Sequence, residues 1–389
     1  MAMQWEDVMS MKTLLALAGA LAVAGAGPAN ADIKIGVVLA LTGPNSSLGI
    51  PYRKGVELMP KEVAGEKVQL IFLDDASDPS TAVRDAQKLI DDDKIDLLIG
   101  GSNTPASQAM AAITAREKVQ QISLAPASYP ADNSRWLIAV PQPANLWVSA
   151  LVKDMLKRKV KTVAFIGFSD PWGDICYNAL KEVGEKNGLQ IVTNERFARA
   201  DTSVTGQVLK IIAAKPDAVL VGGSGTPGAL PHIALAERNY TGPVYVTPGV
   251  FNQDFLRIGG KSVEDAVGVT GPIGAYQQLP DSNPIKKVSA DFIKKYEDIN
   301  GKGSWNSFAA FAYDAVLTVE DAIPRALKKA KPGTPEFRAA LRDEIRAVRE
   351  LPGTNGVYAF KDDGSSYGVD DRSVILVQVK NGDWKLLAN

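Results

Sequence analysis

Short, unbroken apolar runs alternate with stretches of helical period along most of this chain, and that alternation leaves few folds open. Residues 33–41, 68–73, 96–99 and 120–125 are apolar runs of strand length. Helix-like segments separate them near 51–64, 79–93 and 105–118. The runs are continuous rather than alternating, which is the pattern of strands covered on both faces. A strand–helix repeat of this kind predicts a parallel, doubly wound α/β sheet.

The pattern restarts after Pro141-Gln142-Pro143, with strand candidates at 162–167, 189–192, 217–221 and 244–247. A second α/β lobe is the simplest account, and 389 residues suffice for two domains. Helices at 284–300 and 305–328 and late strands at 356–360 and 373–379 imply that the chain re-enters lobes already begun. The expected division is 32–141 plus 271–355 for the first lobe and 142–270 plus 356–389 for the second. A three-strand hinge is then expected near 140–143, 269–273 and 354–358.

One internal echo supports two similar lobes. Asp96-Leu97-Leu98-Ile99-Gly100-Gly101-Ser102-Asn103-Thr104-Pro105 recurs as Asp217-Ala218-Val219-Leu220-Val221-Gly222-Gly223-Ser224-Gly225-Thr226-Pro227. Each copy ends a buried strand in Gly-Gly-Ser and opens a helix at Thr-Pro, with Thr as N-cap and Pro in the first turn. Ligands of open α/β sheets sit beyond the carboxyl ends of strands. Two facing lobes would place both turns across one cleft, where helix amino ends suit a carboxylate.

The first 31 residues have the layout of a secretory leader. Lys12 precedes an uncharged apolar run from 14 to 26, too short to span a bilayer, and Ala29-Asn30-Ala31 is a small-x-small cleavage site. Met11-Lys12 reads as the leader's start, and cleavage is expected after Ala31, giving a periplasmic protein. Of 43 basic and 44 acidic residues, the leader holds Lys12, Glu6 and Asp7, so 42 of each remain. That balance offers no footprint for nucleic acid or an anionic membrane. Cys176 is the single cysteine, so no internal disulfide can form.

Catalytic chemistry is scarce. His232 is the only histidine, and no Cys/His cluster has metal-ligand spacing. Gly223-Ser224-Gly225-Thr226-Pro227-Gly228 matches a dinucleotide turn, but the next strand, near 244–247, ends without the acidic residue that should hold a ribose. No nucleophile elbow is present. Asp74-Asp75 are possible catalytic carboxylates, yet Asp78 before Pro79 reads more simply as an N-cap.

Several ordered segments resemble the type I periplasmic binding proteins of the branched-chain amino acid (Leu/Ile/Val-binding) group. They are Ile35-Gly36-Val37 with Leu41-Thr42-Gly43-Pro44, Asp74-Asp75-Ala76-Ser77-Asp78-Pro79 with Ala82-Val83, and Gly100-Gly101-Ser102 with Pro105-Ala106-Ser107. Ser123-Leu124-Ala125-Pro126-Ala127-Ser128, Trp172-Gly173 and Phe360-Lys361-Asp362-Asp363-Gly364 complete the set. The resemblance implies a hinged two-lobe receptor of an ABC importer that catalyses nothing. Its implied partners are a small carboxylate ligand and an inner-membrane permease. It implies no cofactor or metal, and a monomer is expected. Ser102 would give its hydroxyl to the ligand carboxylate, with Asn103 beside it. Backbone groups of Ala125 and Ala127 would complete that subsite, and Leu48 and Trp172 would wall the ligand.

Three departures bear on the ligand. Gly249 stands where amino-acid binders of this group carry a glutamate for the ammonium. Ser224 stands where a tyrosine is frequent. Ala127 replaces a threonine, with Ser128 one place on. A buried ammonium without a partner costs several kcal/mol. With Phe251 and Trp172 as flat walls, these departures point to an acid without an amine, of the benzoate or cinnamate kind. The alternatives are a branched-chain or other amino acid, a ligand sensor of the same fold, or an exported enzyme.

Overall fold

The computed structural model describes residues 32–127, 134–361 and 365–387. Residues 1–31, expected to be a leader, lie outside the described residues, as do Ser128 and Asp362-Asp363-Gly364. The first sheet contains β1 (Ile33–Leu39), β2 (Glu62–Val63), β3 (Glu66–Asp74), β4 (Leu97–Gly100), β5 (Gln120–Ser123) and β6 (Leu137–Ala139), in the order β2-β3-β1-β4-β5-β6. All its pairings are parallel except β2 on β3. The second sheet starts with β7 (Thr162–Phe168), β8 (Gln190–Phe197), β9 (Ala218–Gly222), β10 (Val244–Val246) and β11 (Val267–Thr270), all parallel. After a short hairpin of β12 (Leu351–Pro352) and β13 (Val357–Tyr358), the tail adds β14 (Ile375–Lys380) and β15 (Asp383–Leu386) antiparallel at one edge. The order is β15-β14-β11-β10-β9-β7-β8.

Strand periodicity explains why both faces are covered. Ile33, Ile35, Val37 and Leu39 pack into a core completed by the helix Ser307–Ala326. Val38 points the other way, onto Ala82, Ala86 and Leu89 of the helix Pro79–Asp91. Side chains two apart share a face of a strand, so one continuous apolar run serves two cores. The second lobe has its own core around Phe165, Ile166, Val219 and Val221. Two doubly wound α/β lobes are therefore present, and their strands explain the unbroken apolar runs.

Three details differ from expectation. The first helix spans Ser46–Val56, with Pro51 inside it rather than opening it. Its start is set by the preceding loop, which Asp74 and Ser77 pin. β6, β11 and β15, of three or four residues each, have no counterpart among the expected strands. The third crossing between lobes comes later than 354–358. Tyr358 and Phe360 pack in the first lobe's core, and Ala139 N–H donates to Ser366 O at 2.7 Å. The chain joins the second sheet only at Ile375, so residues 356–361 stay with the first lobe. Gln142 Nε2 donates to Ser373 O (2.7 Å), so the first and third crossings run side by side.

A buried carboxylate fastens this region. Asp314 accepts from Thr354 N (2.6 Å), Thr354 Oγ1 (2.9 Å), Asn355 N (3.0 Å), Asn355 Nδ2 (3.2 Å) and Tyr358 Oη (2.8 Å). Tyr358 Oη also lies 3.1 Å from Val140 O on the first crossing. On the second crossing, a Cβ at Gly271 would fall 2.2 Å from Asn355 Oδ1, so only glycine lets the strands approach here.

Candidate functional site

The carboxyl ends of both sheets face one cavity between the lobes, lined mostly by apolar side chains with a few convergent polar groups. The first lobe contributes Leu48, Tyr52, Ser102, Asn103, Thr104, Leu124, Ala125, Pro126, Phe308 and Phe311. Trp147, Trp172, Arg199, Ser224, Pro248 and Gly249 come from the second, and Pro141 and Gln142 from the crossing between them.

Local hydrogen bonds build the first-lobe wall. Asp74 accepts from Leu41 N (2.9 Å), Thr42 N (3.2 Å) and Thr42 Oγ1 (2.8 Å). Ser77 Oγ donates to Thr42 O (2.7 Å) and accepts from Asn45 N (3.0 Å). The loop held this way launches the helix that carries Leu48 and Tyr52. Asp74 is thus a loop organiser, and Asp78 caps the next helix through Thr81 N (2.7 Å). Tyr52 Oη donates to Leu124 O (2.5 Å), tying that helix to the end of β5.

The Gly-Gly-Ser turns do what their glycines allow. Gly100 and Gly101 adopt φ of 151° and 78°, and a Cβ on Gly101 would lie 2.0 Å from Ser107 Oγ. In the second copy a Cβ on Gly223 would lie 2.7 Å from Gly228 Cα. Each turn is pressed against the helix it opens, and each sends its serine to the same cavity. The first cap is Asn103, whose Oδ1 accepts from Ala106 N (3.0 Å), with Thr104 one place inside. Thr104 Oγ1 donates instead to Pro126 O (2.7 Å). The helix Thr104–Arg116 therefore presents its positive end at the cavity.

Ser102 Oγ accepts from the buried Ala40 N (2.9 Å), so its own hydrogen stays available to a ligand. Ala125 lines the cavity, but both its backbone groups engage Ser123 Oγ, at 3.3 Å from the nitrogen and 2.6 Å from the oxygen. Ala127 is fully buried against Ala111 and Leu137, outside the lining. Its backbone engages the Tyr367 hydroxyl. The expectation that Ala127 completes a carboxylate subsite does not match this placement.

On the second lobe, Asp170 caps the helix Pro171–Lys186 through Trp172 N (2.9 Å) and Gly173 N (3.2 Å). That fixes Trp172, whose Nε1 donates to Gly223 O (3.2 Å). A Cβ at Gly249 would lie 2.6 Å from Ser224 Cβ, so no larger residue fits there beside this turn. Phe251, expected as a wall, turns away: Pro248–Val250 is a 3-10 turn, and the ring packs on Trp384 with centroids 5.1 Å apart. Leu48, Ser102, Asn103, Ala125, Trp172, Ser224 and Gly249 meet at the cavity; Ala127 and Phe251 do not.

Sequence reasoning missed Arg199, which follows β8. Its Nε donates to Asp170 Oδ2 (2.6 Å), and its Nη1 to Ser224 Oγ (2.9 Å) and, across the lobes, to Asn45 Oδ1 (3.0 Å). Its guanidinium lies over the Phe168 ring at 4.1 Å. A charged residue just past a strand's carboxyl end was the available signal. Tyr52, Trp147, Phe308 and Phe311 were also missed, since aromatics in helices read as core. His232 packs edge-on to Phe255 at 5.5 Å, and burial holds its imidazole down to about 3, hence neutral.

Comparisons with known proteins agree with this geometry. The periplasmic binding protein family profile matches residues 32–383. The chain is 26% identical over 369 residues to "Leu/Ile/Val-binding protein homolog 3" of Brucella melitensis, covering 92% of this chain and 94% of that one. It is 27% identical over 323 residues to the Leu/Ile/Val-binding protein of Escherichia coli K12, covering 78% and 83%. Among solved structures, an extracellular ligand-binding receptor from Rhodopseudomonas palustris HaA2 superposes with a TM-score of 0.90 at 42% identity, over 92% of this chain and all of that one. A two-lobed α/β chain with its cleft at the strand ends, matched over nearly its whole described length, belongs to the periplasmic binding protein family.

Proposed function

We propose that this protein is the solute receptor of an ABC importer, and that its cleft takes a small acid with a flat apolar body and no ammonium. One observation carries the ligand reading: Arg199 is the only charged side chain among the described residues that line the cavity. A zwitterionic amino acid would bury its ammonium there with no carboxylate to meet it, which is strongly unfavourable. An anion finds the amino end of the helix Thr104–Arg116, the Ser102 hydroxyl and, across the cleft, the guanidinium N–H groups of Arg199, whose charge Asp170 balances. Trp147, Trp172, Phe308 and Phe311 supply the aromatic surroundings.

A branched-chain amino acid is the second reading. The names of the Brucella and Escherichia coli relatives favour it, since both are Leu/Ile/Val-binding proteins. Titration calorimetry separates the two. The expected result is binding of 4-hydroxybenzoate at least roughly 100-fold tighter than leucine, the equivalent of a few kcal/mol for an unpaired buried charge. Tight leucine binding with no response to the acid would overturn the acid reading.

Ser102→Ala is expected to weaken the acid by about 1–3 kcal/mol. The same change leaves the buried Ala40 N–H without its acceptor, so the melting temperature of the free protein should also fall. Calorimetry and a thermal melt on one preparation check both. Wild-type affinity would remove Ser102 from the ligand site.

A further inference from the structure

We infer that the second lobe reads an uncharged oxygen on the bound acid, with Arg199 as the specificity-determining residue. The ligand class is then a mono-anionic aromatic acid with a hydroxyl or carbonyl oxygen opposite its carboxylate. This inference rests on the acid reading of the cleft.

Two donors on the second-lobe wall lack partners. Arg199 has a side chain only 13% exposed; its Nε and Nη1 are committed, while its buried Nη2 has no hydrogen-bond partner. Trp147 lines the same cavity, and its buried Nε1 is also without a partner. Both side chains line the cavity and each keeps one uncommitted donor, so a ligand acceptor entering on this side is the partner we assign to them. The ligand carboxylate already has its seat at the first-lobe helix end, so the acceptor is a second oxygen.

Charge then decides what kind of oxygen. Asp170 neutralises Arg199 at 2.6 Å, so the pair brings no net charge to the cavity. A second carboxylate would sit beside a neutral ion pair, with the ligand's other carboxylate held only by dipoles and a hydroxyl. An uncharged oxygen takes the same N–H groups without that cost. The seat also adjoins the contact that spans the lobes, because Arg199 Nη1 donates to Asn45 Oδ1 from the opposite lobe. An oxygen drawn to Nη2 therefore steadies the guanidinium that joins the two halves.

The test is calorimetry of the full chain with benzoate, 4-hydroxybenzoate, terephthalate and leucine, repeated on Arg199→Lys, which keeps a cation for Asp170. In the wild type, 4-hydroxybenzoate should bind about tenfold or more tighter than either benzoate or terephthalate, the scale of one hydrogen bond to a charged group. In Arg199→Lys its advantage over benzoate should shrink to about twofold, because 4-hydroxybenzoate loses more affinity than benzoate does. Equal wild-type affinities for benzoate and 4-hydroxybenzoate would overturn the inference and leave the acid reading standing. So would terephthalate binding tightest, or an equal loss of benzoate and 4-hydroxybenzoate in the variant. Leucine binding with no response to any acid would remove the acid reading and this inference together.

Discussion

Asp314→Ala is expected to lose about 3–5 kcal/mol of unfolding free energy, because each buried donor left without an acceptor costs about 1–3 kcal/mol. The substitution leaves the N–H groups of Thr354 and Asn355 buried and unpaired, and frees the Tyr358 hydroxyl. The loss should depend on pH with a definite sign. Burial pushes the Asp314 carboxyl up to about 6, from 3.8 in the unfolded chain, even though hydrogen bonds from Thr354, Tyr358 and Asn355 pull it down. A raised acid means that the folded state holds its proton more tightly than the unfolded chain. Its stabilising contribution is complete below about pH 4 and declines as pH rises toward 6. The gap between wild type and Asp314→Ala should therefore narrow across that window, by at most about 1.4 kcal/mol per pH unit. Urea unfolding of both proteins between pH 4 and 8 checks it. A gap that widens with pH would show that the donors, not burial, control the carboxyl.

Trp172→Ala is the second large effect. The indole is 4% exposed, seals the cavity beside Trp147 with centroids 6.2 Å apart, and donates to Gly223 O. Removing it should cost about 3–5 kcal/mol of stability, as for other buried tryptophans. It should also weaken an aromatic acid by tenfold or more, roughly the 1.4 kcal/mol that one lost wall contact exceeds. Trp172→Phe keeps an aromatic wall but loses the Nε1 bond and part of the ring, so it should cost less than Trp172→Ala, about 1–3 kcal/mol. Thermal melts and titrations of both variants rank the two losses. Wild-type affinity in Trp172→Ala would place the ligand elsewhere in the cleft.

The parts of this molecule that were legible in its sequence are those set by local chemistry. The apolar runs announce buried parallel strands because each strand faces two cores. The repeated Gly-Gly-Ser is legible because a turn pressed against its own helix excludes a Cβ, as at Gly101 and Gly223. Arg199 was not legible, because Asn45, Asp170 and Ser224 reach it from three distant segments. Phe308 and Phe311 open a helix that is buried nearly throughout, so nothing in their spacing separates cavity from core. Phe251 was misread for the opposite reason. It lies two residues beyond the cavity-lining Gly249, but the intervening turn rotates it onto Trp384, a residue of the last strand. The late third crossing escaped notice because the apolar 357–360 run looks like any other strand.

The interleaving of the chain has a consequence for how the protein comes into being. The first sheet lacks its covering helix until residue 326 has been made, and the second lacks β14 and β15 until residue 386. Neither half can finish alone while synthesis proceeds, so both must mature nearly together. Contacts this distant in sequence slow the search for the native state. A nascent polypeptide of this design stays unfinished, and so threadable, until those last strands are made.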